Sequence, residues 1–432
     1  MSRRRHKKKK PGDVELNLAA MLELGELRQM DVSLPEVSSV SWSTFSTGVN
    51  PAKHGIFGFI DLVPSSYRTC FPNFAQNRAA TTWDTLGQAG KTSVIVNVPD
   101  TYPARPLRGA LISGFVATDL AQATYPRILL PRLRAMGYKL DVDAMLAHDG
   151  RMDAFVDDCF DTLARRFQAF DYLWTQQPWD YFVATITGTD RLHHFLWAAE
   201  QDLSHPYHAR FRAYYREVDR ILGELYGRLN PEDTCMVVSD HGFTDIVQEV
   251  YLNRWLQEEG YLKFEGGVPS LETLHPESTA FAIDPSRIYL HRKDRFPRGC
   301  LEGHRLEAVR DEIAGKLRNL SFETSPGVRQ PVIRAVFRKE EIYAGPLLEQ
   351  APDLIALSQW GFDLKGTMTR DTVFGRTIFT GMHTRDDATF FINRQGLPPR
   401  RPDIADLSPT VLELLQVPVP PDVDGRSLLR AV

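Results

Sequence analysis

The fold is decided by the stretch Thr234–Phe243, which reads TCMVVSDHGF. An apolar run typical of a buried strand ends at Ser239, and Asp240 and His241 follow it directly. The next residue, Gly242, allows the backbone to turn sharply away. A carboxylate and an imidazole at a strand end are typical of the ligand-binding edge of an open α/β sheet. The stretch therefore predicts an α/β fold with a pair of metal ligands at one strand end.

A second strand candidate, Tyr181–Ile186, also precedes an acid and a histidine. If the following residues open a helix, Asp190 and His194 lie one turn apart on the same face, and His193 points elsewhere. This spacing suits two ligands of one metal ion. Another segment contributes His383. Each group alone is more often a loop or a solvated helix face, but together with the first pair they predict a dinuclear metal site.

The segment Leu34–Ile56 contains the candidate nucleophile. Pro35 disfavours helix before it, and Gly48 is a typical helix end, so a short helix is predicted from about Ser39 to Thr47. Ser38 would lie at its N-terminus, where the helix dipole favours an alkoxide and attracts phosphate. The alternative is that the serines and threonines of this segment only cap and line a helix. The candidate metal ligands elsewhere in the chain favour the interpretation of Ser38 as a nucleophile.

With these residues in view, the chain resembles the alkaline phosphatase superfamily, and specifically its type I phosphodiesterase / nucleotide pyrophosphatase branch. The resemblance extends from about Leu34 to Leu429 and includes, besides the segments above, the loop Asn97–Pro103 and the closing segment Asp403–Leu429. It implies an alkaline-phosphatase-like fold, with a largely parallel sheet flanked by helices and an inserted cap subdomain.

The resemblance also implies a role for each candidate residue. Ser38 takes the place of the Thr or Ser nucleophile of the family. The metal that activates Ser38 would be bound by Asp240 and His241, and the second metal by Asp190, His194 and His383. Zinc is usual in this family and suits nitrogen and carboxylate donors, and manganese is the alternative for a carboxylate-rich site. Nucleotide pyrophosphatases carry an Asn three residues after the nucleophile, where this chain has Ser41.

The N-terminus departs from the family pattern. Family members begin with an apolar strand that ends in an Asp ligand of the nucleophile's metal. This chain begins MSRRRHKKKKPG, and no apolar strand precedes Asp13. Asp13 and Asp31 are poor substitutes, because the first follows a basic run and the second lies only seven residues before Ser38. We therefore expect the first strand to be missing and the metal beside Ser38 to have one carboxylate fewer.

The composition is that of an ordinary enzyme with a large core. The chain has 432 residues, of which 43% are hydrophobic, which is enough for one large domain and a subdomain. Apolar strand candidates alternate with amphipathic stretches, as in an α/β domain with a largely parallel sheet. We expect a disordered basic tail at 1–12, a catalytic α/β core at 13–268, an inserted cap subdomain at 269–366 and a return to the core at 367–432.

Charge and cysteine usage point to a cytoplasmic protein. The net charge of -4 says little about partners, and the basic run at the N-terminus is more often a solvated tail than a nucleic-acid or membrane contact. The four cysteines are scattered without metal or disulfide spacing, as expected for reduced thiols. No stretch is long enough for a membrane span, and no signal peptide is recognisable. The expected partner is a small phosphate ester, without specific nucleic-acid binding, and the oligomeric state is open.

The expected function is hydrolysis of phosphate esters with two divalent metal ions. A phosphodiesterase or nucleotide pyrophosphatase that forms a phosphoseryl intermediate is the first hypothesis. The alternatives are a phosphomonoesterase, phosphomutase or sulfatase of the same superfamily, and a catalytically impaired homologue that acts as a binding or scaffold protein. A formylglycine sulfatase is disfavoured, because the nucleophile segment contains no cysteine.

Overall fold

The computed structural model describes residues 17–429. The expected basic tail at 1–12 and Asp13 lie outside the described residues. The helices are α1 Asn17–Leu22, α2 Ser38–Thr47, α3 Pro51–His54, α4 Thr82–Gln88, α5 Leu130–Ala135, α6 Met145–His148, α7 Met152–Gln176, α8 Gly188–Gln201, α9 His208–Tyr226, α10 Leu252–Glu258, α11 Gly303–Arg318, α12 Lys339–Ile342 and α13 Leu407–Leu414.

The strands are short and are distributed along the whole chain. They are β1 Glu26–Met30, β2 Asp61–Leu62, β3 Thr69–Cys70, β4 Ser93–Val98, β5 Gly109–Ser113, β6 Thr124–Tyr125, β7 Tyr181–Ala184, β8 Met236–Val238, β9 Gly242–Asp245, β10 Gln248–Tyr251, β11 Ala280–Ile283, β12 Arg287–Leu290, β13 Ser321–Ser325, β14 Val328–Pro331, β15 Ile333–Arg338, β16 Leu354–Ser358, β17 Phe362–Lys365, β18 Phe374–Gly375, β19 Gly381–Thr384 and β20 Ala388–Ile392.

The α/β fold is confirmed, and its sheets are mixed where the sequence predicted a largely parallel sheet. One sheet has the order β6-β5-β4-β7, in which β4 is parallel to both β5 and β7. A second sheet has the order β1-β20-β8 and is antiparallel throughout. The reason lies in β19, which carries His383 at the edge where β8 ends. Only three residues connect β19 to β20. Because β20 therefore starts at the edge where β8 ends, it runs in the opposite direction and pairs with β8 antiparallel.

Buried apolar runs explain the central elements. All six residues of β4, SVIVNV, are buried, as expected for a strand covered on both faces. The 25-residue helix α7 covers one face of this sheet, and its residues Phe155, Cys159, Leu163 and Phe170 are at most 1% exposed. Their spacing is that of one helical stripe, which packs inward.

Neither of the two strands that lead into the candidate site is paired on both sides among the described residues. Within residues 17–429, both β7 and β8 lie at a sheet edge. All residues of both strands are half-buried, unlike those of β4. Tyr181 of β7 and Met236 of β8 nevertheless pack against one shared apolar cluster, which consists of Leu86, Val411, Leu412 and Val417. Strand β1 lies on the far side of β20, so no described strand pairs with the open edge of β7 or of β8.

The segment between β10 and β18 has a hydrophobic core of its own. The antiparallel sheet β11-β12-β16-β15 packs with α10 and α11 in this core, whose fully buried members range from Val250 to Leu364. A buried ion pair between Arg287 and Asp61 joins this segment to the chain that follows α3. The cap boundaries expected at 269 and 366 stay a prediction. No helix among the described residues has the length and apolar character needed to span a membrane.

Candidate metal centre and nucleophile

The helix α2 places Ser38 at its first position, one residue earlier than expected. The preceding residue, Val37, is extended and makes no side-chain capping hydrogen bond, so the first N–H groups of the helix stay available to an anion. The helix ends at Gly48, whose φ of 71° is left-handed and whose N–H donates to the Thr44 carbonyl. Nine of the ten helix residues are buried, and Ser38 is the exception.

A buried histidine fixes the other end of the nucleophile segment. The Nδ1 atom of His54 accepts a hydrogen bond from the Ile56 N–H at 3.1 Å, so its Nε2–H donates to Thr44 Oγ1 at 3.1 Å. His54 is completely buried. Burial lowers its pKa to about 3, although the nearby Asp424 charge acts in the opposite direction. His54 therefore holds α2 in place as a neutral imidazole.

The predicted helix after β7 is present as α8. Its first residue must be small, because a Cβ on Gly188 would lie 2.1 Å from the Tyr214 hydroxyl oxygen. Asp190 and His194 share one face of the helix, and His194 Nε2 lies 3.4 Å from Asp190 Oδ1. His193 points elsewhere, as expected, and its Nε2 accepts a hydrogen bond from the Tyr215 hydroxyl at 2.6 Å.

The two remaining histidines are brought together by a strand pair. Strand β9, which begins directly after His241, is antiparallel to β19, and Phe243 is the register partner of His383. The imidazole rings of His241 and His383 stack at a centroid distance of 3.6 Å with 19° between their planes. Residues 142 positions apart in the sequence are therefore in direct contact.

All three imidazoles converge on one carboxylate oxygen, Asp190 Oδ1. Its distances to the Nε2 atoms are 3.2 Å for His383, 3.4 Å for His194 and 3.6 Å for His241. The Nε2 atoms of His194 and His383 are only 2.9 Å apart. The two ligand sets that the resemblance keeps apart thus form one compact cluster around Asp190.

Backbone carbonyls determine which imidazole nitrogen faces the centre. The Nδ1 atoms of the three histidines lie next to carbonyl oxygens, at 3.1 Å for His194 with Gly381, 3.2 Å for His241 with Gly242 and 2.9 Å for His383 with Glu36. Nδ1–H must donate to these acceptors, which leaves the Nε2 lone pairs directed inward. Lone pairs this close repel one another unless a proton or a cation lies between them. This donor set fits a divalent metal ion.

Asp240 completes the cluster on the side of the nucleophile. Its Oδ2 lies 3.4 Å from His241 Nε2, is buried, and has no hydrogen-bond partner within residues 17–429. An orphaned buried carboxylate oxygen is costly unless a cation compensates it. Ser38 Oγ lies 3.3 Å from the same His241 nitrogen. Ser38 is therefore within reach of any cation that Asp240 and His241 bind.

Electrostatics keep the cluster in the protonation state that binds metal. Burial raises the pKa of Asp190, but the neighbouring His194, His383 and Arg191 outweigh it, so the pKa lies well below its usual range. Burial lowers the pKa of His383 to about 3, and the neighbouring His241 lowers it further. An ionised carboxylate beside a neutral imidazole is the form that coordinates a metal ion.

Two residues that the sequence did not single out support the cluster. Arg191 Nη1 donates to Asp190 Oδ2 at 3.0 Å, and Arg191 Nη2 donates to Asp141 Oδ2 at 2.7 Å. Adjacency to Asp190 was a signal for Arg191. No local sequence pattern marks Asp141, which lies in a loop 49 positions before Asp190.

Two of the weighed alternatives lie away from the cluster. Asp31 forms an ion pair with Arg401 at 2.8 Å, so it does not fill the place of the expected missing carboxylate. Ser41, three residues after Ser38, is completely buried in α2. A small recess adjoins Ser39, and its walls include Asp100 as well as Phe59 and Phe115, whose rings stack at 5.1 Å.

Comparison with known proteins identifies relatives of this arrangement. Residues 9–386 match the family described as type I phosphodiesterase / nucleotide pyrophosphatase. No individual curated protein matches the sequence. Among solved structures, phosphonoacetate hydrolase from Sinorhizobium meliloti 1021 in complex with phosphonoacetate is similar, with 17% identity, a TM-score of 0.60, and coverage of 94% of this chain and 90% of that chain.

Two further structures share the fold over nearly their whole length. Wild-type alkaline phosphatase PafA is 14% identical, with a TM-score of 0.57 and coverage of 95% of this chain and 92% of that chain. Murine ectonucleotide pyrophosphatase / phosphodiesterase 5 is 14% identical, with a TM-score of 0.53 and coverage of 94% and 91%. Together these likenesses confirm the alkaline-phosphatase-like fold.

Proposed function

This chain belongs to the type I phosphodiesterase / nucleotide pyrophosphatase family, and on that premise we propose that it is a metal-dependent phosphodiesterase that acts through a phosphoseryl intermediate. The family establishes the broader class, an enzyme that hydrolyses phosphoesters. The observation that carries the finer proposal is the convergence of three Nε2 atoms on Asp190 Oδ1, with Ser38 Oγ 3.3 Å from one of them.

We propose two divalent cations, zinc in the first place and manganese as the alternative. Asp240 and His241 would hold the cation on the Ser38 side. The second cation would be held by Asp190, His194 and His383. When bound, such cations lower the pKa of a coordinated hydroxyl and neutralise charge that develops on a phosphoryl group. The inward Nε2 lone pairs and the orphaned Asp240 Oδ2 support this assignment.

The chain's own groups then divide the work. Ser38 Oγ gives up its proton to solvent, attacks phosphorus and forms the phosphoseryl bond, while the bond to the leaving oxygen breaks and that oxygen takes up one proton from solvent. The free N–H groups at the start of α2 hold a phosphoryl oxygen. Water then cleaves the phosphoseryl ester and restores the serine hydroxyl.

The preference for a diester over a monoester rests on the family, which is described as type I phosphodiesterase / nucleotide pyrophosphatase. The phosphomonoesterase, phosphomutase, sulfatase and scaffold hypotheses stay as alternatives.

We further propose that the first strand of the family is missing from the space between β7 and β8. Both strands are half-buried edges there, and both lead into metal ligands. Asp31, the only weighed substitute among the described residues, is paired with Arg401 instead. The Ser38-side cation would then have fewer protein ligands than its neighbour. A cytoplasmic location also stays a proposal, and the four free cysteines agree with it.

Metal analysis of the purified chain combined with two substrates tests the proposal. We expect about two equivalents of bound metal, together with faster turnover of an aryl phosphodiester than of an aryl phosphomonoester. Faster turnover of the monoester would contradict the phosphodiesterase proposal and support the phosphomonoesterase alternative. A protein with neither metal nor turnover would support the scaffold hypothesis.

A further inference from the structure

The carboxylate of Asp190 uses its two oxygens for different partners. Oδ1 faces the three imidazoles, whereas Oδ2 accepts a hydrogen bond from Arg191 Nη1 at 3.0 Å. The carboxylate cannot rotate without breaking this charge-assisted bond. Arg191 therefore keeps Oδ1 directed at the Nε2 atoms.

Arg191 is itself held on two further sides. Its Nη2 and Nε both donate to Asp141 Oδ2, at 2.7 Å and 3.3 Å. Its guanidinium carbon lies 4.2 Å from the centre of the Phe115 ring, which stabilises the cation by a cation–π contact. The side chain is 15% exposed. Carboxylate and ring together leave the guanidinium a single orientation.

Asp141 is anchored to the two helices that frame the site. Its Oδ1 accepts a hydrogen bond from Thr187 Oγ1 at 2.8 Å, and Thr187 is the residue directly before α8. Arg166 of α7, which is 1% exposed, donates to Thr187 Oγ1 at 2.6 Å. Burial raises the pKa of Asp141, but Arg191 and Arg166 outweigh it and the pKa is lowered. The contacts thus run unbroken from α7 to Asp190.

We propose that Arg191, oriented by Asp141, is a positioning residue that sets the affinity of the Asp190 site for its divalent cation. It acts through Asp190 and does not ligate the cation. Partners of this kind fix ligand orientation, and their loss typically weakens metal binding by about 10- to 100-fold. This inference rests on the metal centre of the proposed function.

The test is the affinity of the full-length chain for Zn²⁺, measured by competition with a chromophoric chelator. Arg191→Gln should weaken binding about 10- to 100-fold. Arg191→Lys should restore part of the loss, because an ammonium supplies the charge but cannot bridge two carboxylates in a fixed fork. Asp141→Asn keeps the shape of the side chain and should weaken binding less, by about tenfold.

Arg210 provides the matched control. It also bridges two carboxylates, Asp153 and Asp157, but on the surface of α9. Arg210→Gln should leave the Zn²⁺ affinity unchanged. Circular dichroism and thermal unfolding of each metal-free variant separate a loss of affinity from a loss of fold.

The outcomes distinguish the inference from the function on which it rests. A folded Arg191→Gln variant with unchanged affinity would overturn the positioning role, while the wild-type metal centre would stand. An equal loss in Arg210→Gln would overturn it as well. If Arg191→Gln does not fold, the Zn²⁺ affinity of the Asp141→Asn variant becomes the test. An unchanged affinity of that variant would reject the inference. A wild-type chain that binds neither Zn²⁺ nor Mn²⁺ would overturn both this inference and the proposed function.

Discussion

The two sides of the candidate metal centre differ in how their carboxylates are held. Asp190, on the α8 side, has one oxygen directed at the imidazoles and the other bonded to Arg191, which Asp141 holds in turn. Asp240, on the β8 side, has a buried Oδ2 without a hydrogen-bond partner among the described residues. The first carboxylate is fixed whether or not a cation is present.

This difference indicates where the site depends most on its cation. A braced carboxylate is already oriented for binding, whereas an orphaned buried oxygen becomes favourable only when a positive charge reaches it. Ser38, the proposed nucleophile, lies on the less supported side, 3.3 Å from His241 Nε2. Substitutions on the β8 side should therefore lower the activity more than they lower the stability of the fold.

The largest expected effect is that of the nucleophile itself. In Ser38→Ala, turnover of an aryl phosphodiester should fall by about 10³- to 10⁶-fold, because the covalent step is lost while the metal ligands stay. Steady-state kinetics with matched metal content measure it. Ser39→Ala should matter far less, and near-normal turnover in Ser38→Ala would mean that water or another hydroxyl attacks.

The second largest effect is expected from substitution of single metal ligands, which should lower the occupancy of one cation and not of the other. His194→Ala or His383→Ala should lower occupancy of one cation, and Asp240→Ala or His241→Ala occupancy of the other, each by about 10-fold or more at limiting metal. Metal content per chain by elemental analysis measures this. An unaltered count in Asp240→Ala would remove Asp240 from the ligand set.

His193 supplies the control for the ligand variants. It is adjacent to His194 but bonded to Tyr215, so His193→Ala should retain both cations. A loss of metal in this variant would show that occupancy responds to packing in α8 and not to ligation.

A smaller expected effect is a difference in affinity between the two cations. If the first strand is absent, as proposed, the Ser38-side cation should be the weaker one, and chelator titration should remove the two in steps separated by about tenfold, with activity lost in the first. Adding an apolar strand that ends in Asp ahead of Asn17 should tighten the weaker site. Two cations of equal affinity in the chain as given would contradict the missing strand.

The smallest effect concerns acid stability of the nucleophile segment, away from the metal. The pKa of His54 is lowered from 6.5 to about 3, so between these pH values the unfolded chain binds a proton that the folded chain does not. Stability therefore falls as the pH drops through this window, by up to about 1.4 kcal/mol per pH unit, and is unaffected above it.

A His54→Gln variant isolates this contribution. The amide can replace the Nε2–H bond to Thr44 but does not titrate, so the free energy of unfolding should depend less steeply on pH between 3 and 6.5. Urea unfolding at several pH values measures the slope. An identical slope in both proteins would show that His54 takes up its proton without unfolding.

The sequence by itself determined the fold class, the nucleophile helix and the residues of the cluster. The apolar run before Asp240, the helical spacing of Asp190 and His194, and the glycine after α2 are local patterns, and local geometry follows from them directly. The same patterns excluded His193, because residues adjacent on a helix face different directions.

Only the tertiary structure decided how these pieces meet. The antiparallel course of β20 depends on where β19 arrives, and the stacking of His241 on His383 depends on the pairing of β9 with β19. The support of Asp190 through Asp141 joins residues 49 positions apart. Such contacts depend on the packing of distant segments, which no local spacing encodes, so residues in irregular loops become visible only after the chain has folded.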